Sequence, residues 1–136
     1  PIVVEVVSAE KYSQWVGAKK QQMAAAADEG AKTYSLAELM SRGEKVYAAN
    51  CVACHQASGK GLPPAFPALE GSKLAKGPKA AHIAIVLHGK PNTAMAAYGG
   101  QLGDGDIAAV VTYERNAWGN NTGDLVQPAE IRAARK

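Results

Sequence analysis

The sequence predicts an all-α fold, and three observations carry that prediction. A capping box formed by Ser35 and Glu38 opens a stretch whose apolar residues recur at helical spacing. Two later segments, 80–88 and 107–118, repeat that periodicity and are set apart by runs rich in glycine and proline. The β-branched residues gather in the first seven positions, PIVVEVV, and no later segment alternates well enough to pair with them.

The chain has 136 residues, enough for one domain with a core plus terminal extensions. Hydrophobic residues make up 47% but aromatics only 6%, and many of the former are alanines that bury little area. The polypeptide core is therefore thin, and a bulky apolar group is expected to complete it. A formal charge of +3 gives no basis for a nucleic-acid partner. No run of about 18 apolar residues is present to cross a bilayer. The chain starts at Pro1 without the residue order of a signal peptide, so a processed or excised piece is expected.

Taken in order, residues 1–7 read as a strand that has lost its sheet. From Ser8 a short helix is expected, capped by Ser8, with Tyr12, Trp15 and Val16 on one face. Residues 18–34 are polar and alanine-rich and read as a linker. A helix follows over 36–50, with Leu36, Leu39, Met40, Gly43, Val46 and Tyr47 on its apolar side. The stretch from Gln56 to Pro78 holds four glycines and four prolines, the mark of an ordered loop wrapped around something. Ala80 to His88 forms the next helix. Residues 99–105 turn the chain, Asp104 or Asp106 caps, and a helix runs from Ile107 towards Trp118. Beyond Gly119 no core pattern is visible, although a short helix fits 128–136.

The chemistry is concentrated in Cys51-Val52-Ala53-Cys54-His55, a C-x-x-C-H that contains both cysteines of the chain. Two thiols about one helical turn apart suit addition to the two vinyl groups of a haem, and His55 then supplies the proximal iron ligand. The competing readings are a disulfide or thioredoxin-like pair, which lacks its βαβ context, and a zinc site, which lacks a fourth ligand unless His82 or His88 is recruited. For the sixth iron position the candidates are Met23, Met40, Met95, His82 and His88. Met95 is preferred because it lies in an irregular stretch, 89–99, able to return over the opposite haem face. Met40 sits on an apolar helix face and reads as packing, Met23 lies in the linker, and the two histidines read as ordinary helix residues. His88 or an open iron position stays as the alternative.

On these residues, the region 35–120 resembles a class I cytochrome c domain, an all-α fold around one covalent haem c. The resemblance implies that Gly43 and Tyr47 on the first helix cross Tyr113 on the last. It also implies that the Pro67 carbonyl accepts the second N–H of His55 and that Met95 is the axial methionine. Ala96 departs from the pattern, since relatives often carry proline after the methionine. A bound haem with histidine and methionine ligands implies single-electron transfer rather than catalysis. A haem enzyme or gas sensor would need an open iron position and a distal acid and base, and none is evident.

The opening text PIVVEVVSAEKYSQW is similar to the end of the copper-binding domain of cytochrome c oxidase subunit II, and 112–120 is similar to the cytochrome domains fused to it. Together these resemblances imply a caa3-type oxidase: residues 1–17 a remnant of the cupredoxin-like domain, 18–34 a linker, 35–120 the cytochrome domain and 121–136 a tail. The expected partners are the copper domain of the same subunit, the oxidase core, and a respiratory donor that is either a soluble cytochrome or a quinol-oxidising complex. The expected location is the periplasm or the outer face of the bacterial cytoplasmic membrane. The alternative is a free-standing cytochrome c or the cytochrome of another complex. Lys60, Lys73, Lys76, Lys79 and Lys90 are candidates for steering an acidic partner.

Overall fold

The computed structural model describes residues 6–18 and 32–136. It is helical throughout, and among the described residues the only β-type pairing is an isolated antiparallel bridge between Leu62 and Phe66. Helix α1 covers residues 9–18. Helix α2 runs Leu36–Asn50, the single turn α3 Val52–His55, α4 Lys79–His88, α5 Asp104–Asn116 and α6 Pro128–Ala134. The expected strand at 1–7 falls mostly outside the described residues, and Val6 and Val7 belong to no element. Most of the expected linker, including Met23, likewise lies outside them.

Helix α1 starts where Ser8 provides its cap, with Ser8 Oγ accepting the Lys11 N–H at 3.3 Å. Tyr12 and Trp15 stack at 6.1 Å on its surface and stay exposed. Helix α2 begins with the capping box read from the sequence. Ser35 Oγ accepts the Glu38 N–H at 3.3 Å, while the Glu38 carboxylate accepts the Ser35 N–H at 2.8 Å.

The crossing of α2 with α5 organises the core, and Gly43 makes it possible. A Cβ placed there would lie 2.2 Å from the Ala109 carbonyl oxygen and 2.6 Å from Tyr113 Cβ, so only glycine permits this approach. One turn on, Tyr47 packs against Tyr113 at 5.5 Å and Trp118 at 4.9 Å between ring centroids. Leu39, Ile107, Val110 and Val111 are fully buried around this contact. Complete burial of such a side chain contributes about 1.5–3 kcal/mol. Helix α5 has Gly103 at its N-cap rather than either aspartate. Asp104 and Asp106 instead occupy its first turn, where the helix dipole favours them, and pair with Arg135 and Arg42. The helix stops at Asn116, short of Trp118, because Trp118 takes a positive φ of 53°.

The segment after Gly119 is more than an appendage. Val126, Pro128 and Ile131 are buried, and α6 packs on α5. The Gln127 side chain clasps Tyr34 at both backbone groups, accepting its N–H at 3.0 Å and donating to its carbonyl at 2.8 Å. Arg115, buried, makes a two-pronged bond to Asp124 at 2.7 and 2.8 Å. Thr112 Oγ1 accepts the Val126 N–H at 2.9 Å. These long-range polar contacts, invisible to periodicity, make the 120s part of the domain.

Candidate functional site

Helix α2 delivers the cysteine motif. It ends at Asn50, Cys51 caps it, and α3 adds one turn in which the Cys54 and His55 N–H groups both donate to the Cys51 carbonyl, at 3.1 and 2.9 Å. The two sulfurs are therefore presented about one turn apart. Burial pushes the Cys51 thiol up to about 12, with the Glu114 charge adding to the effect. A thiol held this firmly protonated is the opposite of the low-pKa cysteine of a redox pair.

His55 is oriented from behind. Its Nδ1 lies 2.9 Å from the Pro67 carbonyl oxygen, which can only accept, so Nδ1 carries the hydrogen and the lone pair of Nε2 is free to act as a ligand. The loop can bring that carbonyl close because position 61 is glycine, at φ 62°, where a Cβ would meet the Phe66 and Pro67 carbonyl oxygens at 2.3 and 2.6 Å. Trp118 anchors the same region, its indole N–H donating to the Ala57 carbonyl at 2.9 Å. Gly61 and Trp118 carry no role in the sequence reading. For Gly61 the available signal was a glycine two positions before the Pro63-Pro64 pair.

Cys51, Cys54, His55, Pro67 and Met95 all line one cavity of about 480 Å³, a volume in the range of small-molecule and cofactor sites. Its wall also takes Leu69 from the proline-rich loop, Ile85 and Val86 from α4, and Val110 from α5. Met95, half-buried, sits in a loop folded on itself: the Lys90 N–H donates to the Met95 carbonyl at 3.0 Å, and Thr93 Oγ1 accepts the Met95 N–H at 3.2 Å. Tyr98 brings that loop back, its hydroxyl donating to the Asn50 carbonyl at 2.9 Å. The other candidates fall elsewhere: Met40 is half-buried on α2 away from the cavity, and His88 is exposed at the end of α4.

His82 differs from its sequence reading as an ordinary helix residue. It is buried at the cavity wall, and its Nε2 meets Glu114 Oε2 at 2.8 Å. Among the described residues no group of three or more His, Cys, Asp or Glu is arranged to hold a metal ion, and His82 is committed to Glu114 rather than to the cysteines. The donor set and the apolar walls fit a haem: two thiols about one helical turn apart, an imidazole with its second nitrogen tied back, and a thioether, all on the same cavity. Of the lysines proposed to steer a partner, Lys79 is otherwise engaged, donating to Glu130 at 2.8 Å and to the Leu125 carbonyl at 3.2 Å. Lys90 stands at the cavity, and Lys60, Lys73 and Lys76 are exposed.

Comparison with known proteins bears on the same region. The family model described as cytochrome c oxidase, cbb3-type, subunit III matches residues 38–113. The chain is 38% identical over 99 residues to cytochrome c-552 of Thermus thermophilus, covering 62% of this chain and 66% of that protein. It is 30% identical over 103 residues to the cytochrome c subunit of the quinone alcohol dehydrogenase of Gluconobacter oxydans, covering 68% of this chain and 22% of that one. A gluconate 2-dehydrogenase cytochrome c subunit from Pantoea cypripedii is 28% identical over 145 residues, covering 97% of this chain and 33% of its own length. The chain thus spans about two thirds of the small cytochrome and a third or less of the dehydrogenase subunits.

Proposed function

This chain belongs to the cytochrome c family described as cytochrome c oxidase, cbb3-type, subunit III, and we propose that it passes electrons from a respiratory donor to the dinuclear copper centre of a caa3-type oxidase. The coarser statement follows from the family: the chain is a monohaem cytochrome c domain that carries one covalent haem c and transfers electrons. When bound, the haem supplies a one-electron iron couple.

The residues around the cavity take distinct parts in that work. Cys51 and Cys54 hold the group covalently, which offsets the weak grip of a thin core. His55, oriented by Pro67, would ligate the iron through Nε2. Met95, on the same cavity, would supply the second protein ligand, and a filled ligand set would keep rearrangement on electron transfer small. Leu69, Ile85, Val86 and Val110 give the site apolar walls that would shield a bound haem from water.

The oxidase assignment is carried chiefly by the likeness of PIVVEVVSAEKYSQW to the end of a subunit II copper domain, with the likeness of 112–120 to fused cytochrome domains beside it. The matched family region starts at residue 38, so it describes the haem domain and leaves that segment out. In this reading the linker over 18–34 keeps the haem domain at a high effective concentration near the copper domain, on the outer face of a bacterial membrane. The test is the reading frame upstream of Pro1. Two membrane spans and a set of copper ligands ending just before Pro1 are expected, and a cleavable signal peptide there would contradict the assignment. The dehydrogenase subunits among the relatives favour a second reading, a cytochrome domain fed by a quinone-dependent dehydrogenase. Under that reading, the upstream frame would encode neither the paired membrane spans nor the copper ligands.

A further inference from the structure

One buried ion pair lines the cavity without belonging to the attachment or ligand residues. His82 on α4 and Glu114 on α5 are 2% and 6% exposed, 2.8 Å apart, and on the cavity wall. Packing does not account for them, because two ionisable groups buried together cost desolvation that apolar side chains of the same volume would not. Nor is the pair fully satisfied: His82 Nδ1 is buried and has no hydrogen-bond partner.

A proton count shows why such a pair suits an electron carrier. With its full complement the pair is neutral overall, as imidazolium beside carboxylate or imidazole beside carboxylic acid. Loss of one proton leaves Nε2–H on a carboxylate, a bare Nδ1, and a net charge of −1. The neutral form strands a donor or splits charge across the pair, and the anionic form buries uncompensated charge. Which form is favoured therefore depends on the charge beside it. That charge rises by one when the site gives up an electron.

We propose that His82 and Glu114 form a proton-linked, potential-setting element: the reduced site is matched by the neutral pair, and the electron leaving for a partner is accompanied by one proton leaving the pair for solvent. Charge balances, since the pair falls from 0 to −1 as the site rises by +1. The inference rests on the haem reading of the cavity.

The described groups that face the pair are held by other partners or by burial. From α2, Tyr47 and Cys51 face Glu114, and burial together with its charge pushes both upward; the Cys51 sulfur no longer titrates once it is a thioether. From the methionine loop, Tyr98 is pushed up by burial, with Glu114 contributing. The Tyr47 and Tyr98 hydroxyls donate to the Gln56 and Asn50 carbonyls. On α5 itself, Arg115 is committed to Asp124 and the Ala75 carbonyl. Asn120 donates to the Glu114 backbone and is neutral. Lys90, from the methionine loop, is on the cavity and cationic.

The experiment is spectroelectrochemical titration of the holoprotein across the neutral pH range. The wild-type potential should fall with rising pH, approaching a tenfold change in the ferric-to-ferrous ratio per pH unit, which is about 59 mV for one electron. Glu114→Gln and His82→Gln should each flatten that slope, whereas His88→Gln should keep it. Nitrogen-15 histidine NMR of the wild type in both redox states gives the same test without a variant: the His82 Nδ1 proton should be lost on oxidation. A flat wild-type potential, a slope surviving in either pair variant, or an unchanged His82 between redox states would overturn the inference. Failure of the haem reading is distinguishable, since it appears beforehand as free thiols or as a missing sulfur-to-iron absorption.

Discussion

The two walls of the cavity are built by different means. Around His55 the bonds join segments far apart in the chain: His55 to Pro67, Trp118 to Ala57, Asn120 to Leu69. The bonds made by Met95 itself stay within six residues, among Lys90, Thr93 and Met95, and longer-range ones enter only at Tyr98 and Gly99 where the loop returns. Residues 91–94 are exposed. The histidine is thus placed by the fold itself. The methionine sits in a loop anchored mainly at its return, where the Tyr98 N–H donates to the Val86 carbonyl at 3.0 Å. A change on the first wall should appear as lost stability, and a change on the second as altered ligation in a domain that stays folded.

The largest effect should come from Cys51→Ala combined with Cys54→Ala, which unties the group that fills the core. An unfilled cavity of about 480 Å³, at about 24 cal/mol per Å³, corresponds to an upper figure near 12 kcal/mol, comparable to the whole stability of a domain. Loss of covalently retained haem and collapse of the helical circular dichroism should follow. Gly43→Val should come next, costing about 3 kcal/mol or more in chemical denaturation, because the added atoms meet Ala109 and Tyr113 at the α2–α5 crossing.

Met95→Ala tests the second wall. The long-wave sulfur-to-iron absorption should vanish, carbon monoxide should bind the ferrous form, and the potential should drop by about 120 mV, a hundredfold change. The melting temperature should move far less than for Gly43→Val, and a comparable loss would erase the contrast between the walls.

Asp124→Asn should cost about 1–3 kcal/mol by leaving donors of the buried Arg115 unpaired. Arg115 holds the Asp124 carboxyl at about 2, below its ordinary 3.8. Its contribution is therefore fully present above about pH 4 and is lost as pH falls towards 2. The gap in melting temperature between wild type and variant should close over that interval. The smallest effect is expected from removing residues 1–31: the haem spectrum should be unchanged and stability should stay within about 0.5 kcal/mol.

What was legible in the sequence was local or tightly spaced. Ser35 and Glu38 are three residues apart, the cysteine motif spans five, and Gly43 with Tyr47 occupies one helix turn, so each feature carries its own geometry. Burial that depends on a distant partner left no such trace. Val126 and Ile131 read as isolated apolar residues because the surface that covers them belongs to α5. His82 read as an ordinary helix residue because its partner, Glu114, lies 32 positions away. The cap of α5 was misplaced for a related reason: Asp104 and Asp106 are good capping types, but Arg135 and Arg42 draw their carboxylates elsewhere.

The central claim is that one haem c sits in this cavity with its coordination closed by Met95. The most direct test is NMR of the ferrous holoprotein carrying carbon-13 in its methionine methyl groups. The chain has three methionines. One of their methyl signals should be displaced far upfield by the haem ring current and should disappear in Met95→Ala. No displaced methyl in the wild type, or one that persists in that variant, would contradict the account.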